Sequence, residues 1–319
     1  MENSANRASK FPSNQDPFTQ FLAQLKTQSS LYCFSTLHAP WGLALPPMKG
    51  HLMLHVVTDG QCLITSANGT HCLEPGSIVL VPHGKGHHIK SEENASTVPF
   101  FDAGVQQVTA NLETLEIPGK GKLTKLICGV VSFDHVLGQY LLEQLPEIIC
   151  LNRSEYESAS WLNSTIDLIR HEAQQLQVGS ETIITRLAEI LIVKILRFWL
   201  DNSPLANEGW FVAMRSARIG AALKAIHQYP EKDWHLVNLA AEACMSRSAF
   251  SAKFTELIGV SVKSYLTKWR LTLAHQQLRQ AHTPLIELAL SSGYNSEAAF
   301  SRAFKRVIGL SPSQVREQS

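Results

Sequence analysis

The sequence carries the same short helix twice. AFSAKFTELIGVS runs from Ala249 to Ser261 and AFSRAFKRVIGLS from Ala299 to Ser311, with seven of thirteen positions identical. In each copy two phenylalanines stand four residues apart, which places them on one face of a helix, and a glycine follows where a helix would end. Most positions that differ carry a charge in one copy or the other. The chain therefore contains a duplicated helical unit whose buried positions match and whose exposed positions do not.

The similarity extends upstream into a second helix of each unit. Residues 236–258 and 285–308 each read as an amphipathic helix, a tight turn and the repeated helix, with Ser246 and either Asn295 or Ser296 as N-caps. This is the helix-turn-helix pattern. Residues 262–278 read as a connecting helix about 25 Å long. Such a helix would set the repeated helices about one DNA turn, roughly 34 Å, apart, in successive major grooves.

Charge is divided unevenly along the chain. Residues 213–319 hold 14 Lys and Arg against 7 Asp and Glu, whereas residues 1–212 hold 14 against 20, and the net charge of the whole is only +1. A basic module is typical of proteins that bind nucleic acid. The alternative, a scaffold of helical repeats, would have no affinity for DNA. Two aligned units within the basic third favour DNA binding.

The rest of the chain has a different pattern. Short apolar runs such as HLMLHVV and GSIVLVP, separated by turn signals, predict a small β-sandwich or barrel, and helical spacing begins after Ser154. We therefore predict an α+β chain. Its segments are a disordered tail at 1–16, a strand-rich domain at 17–150, a helical linker at 151–212 and a basic all-α domain at 213–319.

The sequence also bears on the compartment and on bound groups. The most apolar run, Ile190 to Leu200, is eleven residues long and contains Lys194 and Arg197, so it is too short and too charged to cross a bilayer. The N-terminal residues lack the apolar run of a signal peptide. The six cysteines have no CxxC pair or zinc-type spacing, and in a reducing compartment they would be free thiols. These features predict a cytoplasmic protein without a cofactor or metal.

Residues 217–316 resemble the DNA-binding region of AraC/XylS-type transcription regulators. The resemblance is carried by the segments ARIGAALKAIH, LAAEACMSRSAFSAKF, YLTKWRLTLAHQQL and IELALSSGYNSEAAFSRAFKRVIGLSPSQVR. It covers about a third of the chain. It implies a sequence-specific regulator, often an activator, that binds double-stranded promoter DNA and contacts RNA polymerase. Arg270 matches a characteristic arginine of the family, which we expect to hold the two units together rather than to read a base.

The family's base-contacting positions fall on both repeated helices. Carried over residue by residue, they are Ser248, Ser251 and Ala252 in the first helix and Glu297, Ala298, Ser301 and Arg302 in the second. Arg302 suits a bidentate contact with guanine, whereas Ala252 stands where the family often has a long side chain, so the second unit is expected to dominate. Glu297 either accepts from a cytosine amino group or places charge at the helix start. The phosphate-contact candidates are Arg247, Lys253, Lys268, Lys305 and Arg306.

The segment LEPGSIVLVPHGKGHHI resembles the second half of a cupin β-barrel. Cupin enzymes hold a metal ion through closely spaced histidines and a glutamate, which gives an alternative function, a metal-dependent cupin enzyme with an accessory DNA-binding domain. The His-x-His pair followed by Glu is absent here, and His51 and His55 on one strand would lie about 13 Å apart, too far to share one ion. The remaining candidates are His71, His83, His87 and His88. We therefore predict a cupin-like sensor domain for a small ligand or an oxidant, not a catalytic domain.

A further set of residues resembles one subgroup, AraC-type regulators with a cupin sensor that include reactive-chlorine-responsive activators. The matching segments are Trp41-Gly42, PGSIVLVPHGKGHH, Cys128-Gly129, Leu145-Pro146 and Trp161-Leu162. In such sensors cysteine oxidation carries the signal, which implies redox roles for Cys128 and Cys33. The open alternative for each is a buried, inert thiol, and Cys244 is expected to pack in its turn. The resemblance also implies a homodimer formed through residues 151–212.

Overall fold

The computed structural model describes residues 27–67, 69–133, 142–156, 160–175, 177–280 and 283–317. The predicted disordered tail at 1–16 lies outside these residues. The described chain divides into two compact units, one ending at Trp199 and the other beginning at Leu200. The first unit is rich in strands and the second is helical. The predicted α+β class is confirmed.

Twelve strands are present among the described residues of the first unit. Their bounds are β1 Thr27–His38, β2 Gly42–Leu45, β3 His51–Asp59, β4 Cys62–Ser66, β5 Gly69–Leu73, β6 Ile78–Val81, β7 His87–Lys90, β8 Val98–Pro99, β9 Gln106–Thr109, β10 Leu112–Ile117, β11 Leu123–Phe133 and β12 Ile149–Leu151. They form a seven-stranded sheet in the order β12-β6-β3-β11-β1-β10-β9 and a five-stranded sheet in the order β5-β4-β7-β2-β8.

The two sheets share one hydrophobic core. The larger sheet contributes buried residues such as Leu37, Met53 and Val79, and the smaller sheet contributes Leu43 and Ile64. Alternate residues of a strand point to opposite faces, so one face of each sheet lines this core. Within the described residues, the strand pairings give two facing sheets and do not close into one continuous barrel.

Two helices follow the strands, α1 at Ser160–Gln175 and α2 at Ser180–Asn202. Helix α2 reaches the boundary between the two compact units. The polar segment after it contains a short 3-10 turn, Pro204–Asn207. The predicted helical segment at 151–212 therefore spans the end of the first unit and the start of the second.

The second unit contains eight further α-helices within the described residues. They are α3 Gly209–Arg215, α4 Ile219–Gln228, α5 Leu236–Glu242, α6 Arg247–Ile258, α7 Val262–Gln280, α8 Leu285–Ser291, α9 Glu297–Ile308 and α10 Pro312–Glu317. Helices α5 and α6 form the first helix-turn-helix unit, α8 and α9 form the second, and α7 connects them.

Helix α7 supplies buried side chains to both units. Near its start, the ring of Tyr265 stands edge-on to Phe254 with centroids 5.6 Å apart. Further along, Leu271 and Ala274 join the core formed with Phe300 and other residues of α8 and α9. Because one continuous helix packs in both cores, the two units are fixed to a common support.

Candidate nucleic-acid interface and interior Cys-His-His cluster

The first recognition helix, α6, has well-defined ends. The Ser246 side chain accepts a hydrogen bond from the Ala249 N–H at 3.3 Å, which satisfies one free donor of the first turn. Gly259 ends the helix with φ of 78°, a left-handed conformation that favours glycine. The prediction of Ser246 as an N-cap is confirmed.

The second recognition helix, α9, is built in the same way. Of the two predicted caps, Ser296 is the one used, and it accepts from the Ala299 N–H at 3.3 Å. Gly309 ends the helix with φ of 89°. The matched caps and stops explain why these positions are identical in the two copies.

The two turns need a left-handed residue at corresponding positions. In the second unit this residue is Gly293, with φ of 80°, and in the first it is Cys244, with φ of 51°. Cys244 is exposed, so the prediction that it packs in the turn is wrong. Its side chain projects outward because the backbone, not the thiol, closes the turn.

The phenylalanines of both copies face inward as the pattern predicts. All four are fully buried, namely Phe250, Phe254, Phe300 and Phe304. Burial of each such side chain contributes roughly 1.5–3 kcal/mol. The opposite faces of α6 and α9 are therefore left for solvent or a partner.

Arg270 on α7 connects the two helix-turn-helix units. Its Nε donates to the Pro230 carbonyl at 2.6 Å and its Nη2 to the Lys232 carbonyl at 2.7 Å, both in the segment that precedes α5. A Cβ built on Gly293 would lie 2.6 Å from Arg270 Nη1, so the guanidinium also lies against the turn of the second unit. The structural role expected of Arg270 is confirmed.

Of the residues predicted to contact DNA, Lys268 is exposed on α7 and the other eleven lie on the outer faces of α6 and α9. Nine of these eleven are exposed, namely Arg247, Ser248, Ala252, Lys253, Glu297, Ala298, Arg302, Lys305 and Arg306. Ser251 and Ser301 are half-buried. Each helix therefore brings its predicted residues together on a surface that solvent reaches.

The two recognition helices differ in how their cations are held. Lys253 Nζ on α6 lies 2.6 Å from Glu256 Oε1, an exposed ion pair within one helix. The corresponding segment of α9 carries Lys305 and Arg306 in place of Thr255 and Glu256. Helix α9 therefore presents more positive charge than α6.

A cluster of Cys128, His55 and His87, here called the Cys-His-His cluster, lies between the two sheets. Cys128 is directly opposite His55 in the pairing of β11 with β3, and its Sγ lies 3.1 Å from His55 Nδ1. His55 Nε2 lies 2.7 Å from Nε2 of His87, which comes from β7 in the facing sheet. The three polar groups form a continuous hydrogen-bonded chain through the core.

Cys33 is the other neighbour of Cys128. The two residues are directly opposite in the antiparallel pairing of β1 with β11. Cys33 is buried and its Sγ lies 3.6 Å from Ser35 Oγ. The structure thus brings the two predicted redox cysteines together on neighbouring strands, next to the Cys-His-His cluster.

Burial keeps the members of the cluster neutral. Desolvation raises the pKa of the Cys128 thiol well above its usual value, with a smaller contribution from Cys33 and Cys62. Desolvation also lowers the pKa of His55, and it lowers the pKa of His87 to about 4. The pKa of Cys33 is raised to about 11, again mainly by burial. At neutral pH these thiols hold their protons and both rings are uncharged.

Sequence reasoning missed the contact between His55 and His87. It compared His55 with His51 on the same strand, and the structure leaves His51 near the surface, 3.2 Å from the Lys49 carbonyl. The partner of His55 comes from the facing sheet, and that pairing depends on sheet packing. In the part of the chain that the structure describes, no three His, Cys, Asp or Glu side chains are grouped so that they could hold a metal ion.

The described helices include none long and apolar enough to span a membrane.

Comparison with known families gives two matches. The Cupin family matches residues 16–201, more than half of the chain, and a helix-turn-helix domain matches residues 239–318.

Curated relatives match along most of the chain. An AraC-like transcription regulator of Streptomyces lividans is 30% identical over 306 residues, covering 95% of this chain and 98% of the relative. The regulator AlkR of Acinetobacter baylyi is 29% identical and covers 95% and 100%. The RCS-specific transcriptional activator RclR of Escherichia coli is 26% identical and covers 86% and 88%.

The relatives are named as transcription regulators, so the prediction of a regulator rather than an enzyme is confirmed, and the metal-dependent enzyme alternative has no support. The interface geometry, the two domain matches and the full-length relatives agree. The chain belongs to the AraC family of DNA-binding transcription regulators and carries an N-terminal cupin domain.

Proposed function

We propose that this regulator activates transcription from specific promoters and that its cupin domain senses a small ligand or an oxidant. Two features of the molecule carry the proposal. The helical unit has two capped helices, α6 and α9, with exposed polar faces, and the strand-rich unit contains the buried Cys-His-His cluster. The first suits sequence-specific binding to DNA. The second suits a response to a small reactive molecule.

In this proposal α6 and α9 enter successive major grooves. Ser248, Ser251 and Ala252 face bases from α6, and Glu297, Ala298, Ser301 and Arg302 do so from α9. Arg302 has the long, exposed guanidinium that bidentate contact with guanine requires. The residues proposed to contact phosphates are Arg247, Lys253, Lys268, Lys305 and Arg306.

The second helix-turn-helix unit supplies most of the DNA-binding energy in this proposal. Helix α9 exposes Arg302, Lys305 and Arg306, whereas Lys253 on α6 is paired with Glu256. Phosphate contacts dominate the affinity of most DNA-binding proteins. A helix with three available cations therefore contributes more than a helix whose lysine is already paired.

The sensor role is assigned to Cys128 and Cys33. Their direct opposition across β11 and β1 supports a shared response to oxidation, and one relative, from Escherichia coli, is named an RCS-specific activator. Burial opposes this role because only the thiolate is strongly nucleophilic and the pKa values of both thiols are raised. A sensor at this position therefore needs a way to remove the thiol proton.

The remaining assignments follow from the same proposal. Residues 17–150 form the sensor domain, residues 151–212 the linker and homodimer contact, and residues 213–319 the DNA-binding domain. An activator at a promoter would also contact RNA polymerase. Binding to chromosomal promoters places the protein in the bacterial cytoplasm.

The test is a binding titration of the full-length protein on duplex DNA from upstream of its own gene and its neighbours, at fixed salt. It is run with thiols reduced and again after mild hypochlorous acid treatment. We expect specific binding whose affinity or footprint changes on oxidation, and no such change in Cys128→Ser. Cys72→Ser, which removes an exposed thiol, is the control and should respond like the wild type. Specific binding that ignores oxidant in all variants would overturn the oxidant role and favour a small ligand.

A further inference from the structure

We propose that the His55–His87 pair accepts the thiol proton of Cys128 and makes this interior cysteine a covalent modification site for small, uncharged electrophiles. The inference deepens the proposed sensor role and rests on it for its consequence at a promoter. The chemistry itself belongs to the first compact unit and is measured without DNA.

The geometry supplies a path for the proton. Cys128 Sγ is 3.1 Å from His55 Nδ1, and His55 Nε2 is 2.7 Å from His87 Nε2. When the thiol donates to Nδ1, the other nitrogen of His55 carries the hydrogen that it donates to His87. A proton taken up at Nδ1 therefore releases one at Nε2, and the charge moves to His87.

His87 receives the relayed proton at Nε2, because in this arrangement its own ring hydrogen is on Nδ1. His87 Nδ1 is buried and has no hydrogen-bond partner among the described residues. An orphaned polar atom in a core is costly, and His87 is only 3% exposed. Among the described residues, Nδ1 of His87 therefore makes no hydrogen bond that stabilises the fold.

The neighbouring groups do not compete for the proton. Cys33 and Cys62 influence Cys128 electrostatically and His88 influences His87. Cys33 Sγ is hydrogen-bonded to a hydroxyl, Ser35 Oγ, and burial, with a smaller contribution from the charge of Glu113, raises the pKa of Cys33. Burial raises the pKa of Cys62 to about 12. Cys128 is thus distinguished from these two thiols by its imidazole contact.

Cys128 retains partial exposure to solvent. Cys128, Val130 and Cys150 pack against the core yet remain half-buried. Desolvation nevertheless dominates the pKa of Cys128, and the proposal is therefore limited to small reagents. Half-buried apolar side chains, among them Leu45, Met48 and Ile148, pack against the same core. A small neutral molecule can enter such a core at less cost than an ion, which would lose its hydration.

Both relevant reaction types balance without a cofactor. With a maleimide, the sulfur–carbon bond forms, the carbon–carbon π bond breaks, and a proton from the histidine pair or solvent completes the adduct. With hypochlorous acid, the sulfur–chlorine bond forms and the chlorine–oxygen bond breaks. The departing hydroxide then combines with the thiol proton as water, so that sulfur is oxidised by the hypohalous acid.

The experiment follows the rate of Cys128 alkylation by N-ethylmaleimide, read by peptide mass spectrometry on the full chain between pH 6 and 8. An exposed thiol reacts as its thiolate, so its rate rises about tenfold per pH unit below its pKa, and Cys72 is the exposed control within the same molecule. We expect the Cys128 rate to change less than about twofold, because the neutral thiol–imidazole pair is the reacting form throughout this range. A Cys128 rate that follows Cys72, or a Cys128 that reacts only after unfolding, would overturn the proposal.

Variants test the two rings separately. His55→Gln should lower the Cys128 rate at least about tenfold and restore a steep pH dependence, and His87→Gln should give a smaller loss. His88→Gln, which alters an exposed neighbour, should react like the wild type. The wild-type pH profile decides the matter even if the buried substitutions fail to fold. An unreactive Cys128 with an intact oxidant response on DNA would refute this inference alone, whereas a reactive Cys128 without any response on DNA would refute the sensor function alone.

Discussion

Arg270 lies so close to Gly293 that a Cβ atom at position 293 would come within 2.6 Å of its Nη1. The same guanidinium holds the carbonyls of Pro230 and Lys232. Arg270 therefore ties the segment before the first helix-turn-helix unit to the turn of the second. The angle between α6 and α9 depends on this contact as well as on the shared helix α7.

This contact predicts that Gly293→Ala destabilises the second unit more than Gly309→Ala. Both glycines have positive φ, so each substitution costs about 1–2 kcal/mol of backbone strain. Only Gly293 has a neighbour within 4 Å of the added Cβ, and displacing Arg270 adds about 1–3 kcal/mol by analogy with overpacking. Chemical denaturation of the two variants measures the difference, and equal losses would show that Arg270 moves aside freely.

The second prediction separates base reading from phosphate contact on α9. Arg302→Ala should cost about 1–3 kcal/mol on the preferred site and relax specificity at one base pair. Lys305→Ala should weaken binding to all sequences alike and reduce the slope of log affinity against log salt by about 1. Competition titrations with a set of single-base variants compare the two. A uniform loss for Arg302→Ala would contradict its role as a base reader.

The third prediction concerns the ion pair on α6. Glu256→Gln should raise DNA affinity, because it releases Lys253 from its 2.6 Å contact and removes a negative charge from the interface. The pair is exposed, so little stability should be lost. Glu287→Gln, which removes an exposed carboxylate on α8 instead, is the matched control. Affinity that rises equally in both variants would indicate a net-charge effect and not the release of Lys253.

The fourth prediction concerns acid stability of the strand-rich unit. Burial depresses the pKa values of His55 and His87 in the folded state, whereas the unfolded chain takes up protons near pH 6.5. Above pH 6.5 both rings are neutral in the folded and the unfolded states. As pH falls from about 6.5 toward 4, only the unfolded state takes up protons at these rings. The free energy of unfolding therefore falls by up to about 1.4 kcal/mol per pH unit for each ring. Thermal unfolding of the wild type and His87→Gln should show a steeper pH dependence in the wild type. Parallel curves would mean that His87 is not held neutral.

Much of the helical unit could be predicted from sequence because its signals are local. Helix ends can be predicted from single residues at or next to them, here the N-caps Ser246 and Ser296 and the stops Gly259 and Gly309. The left-handed conformation of Cys244 could not be predicted in this way, since cysteine, unlike glycine, is not a residue type that indicates a positive φ. Only the alignment with Gly293 in the second copy could have suggested it.

The interior of the cupin domain was less accessible to sequence reasoning. The strands were recognisable, but the partners of Cys128 are decided by register and by the packing of one sheet on the other. Cys33 and His55 lie 95 and 73 residues away along the chain. His87 comes from the facing sheet, and nothing in the spacing of histidines distinguishes it from His83 or His88.

The most direct test of the account is a footprint of the full-length protein, wild type and Arg302→Ala, on DNA from upstream of its own gene and its neighbours. We predict two protected patches about one helical turn apart on one face of the duplex, with protection by α9 weakened selectively in the variant. Absence of site-specific protection at any salt concentration, or a footprint that Arg302→Ala leaves unchanged, would contradict the assignment of α6 and α9 as paired recognition helices.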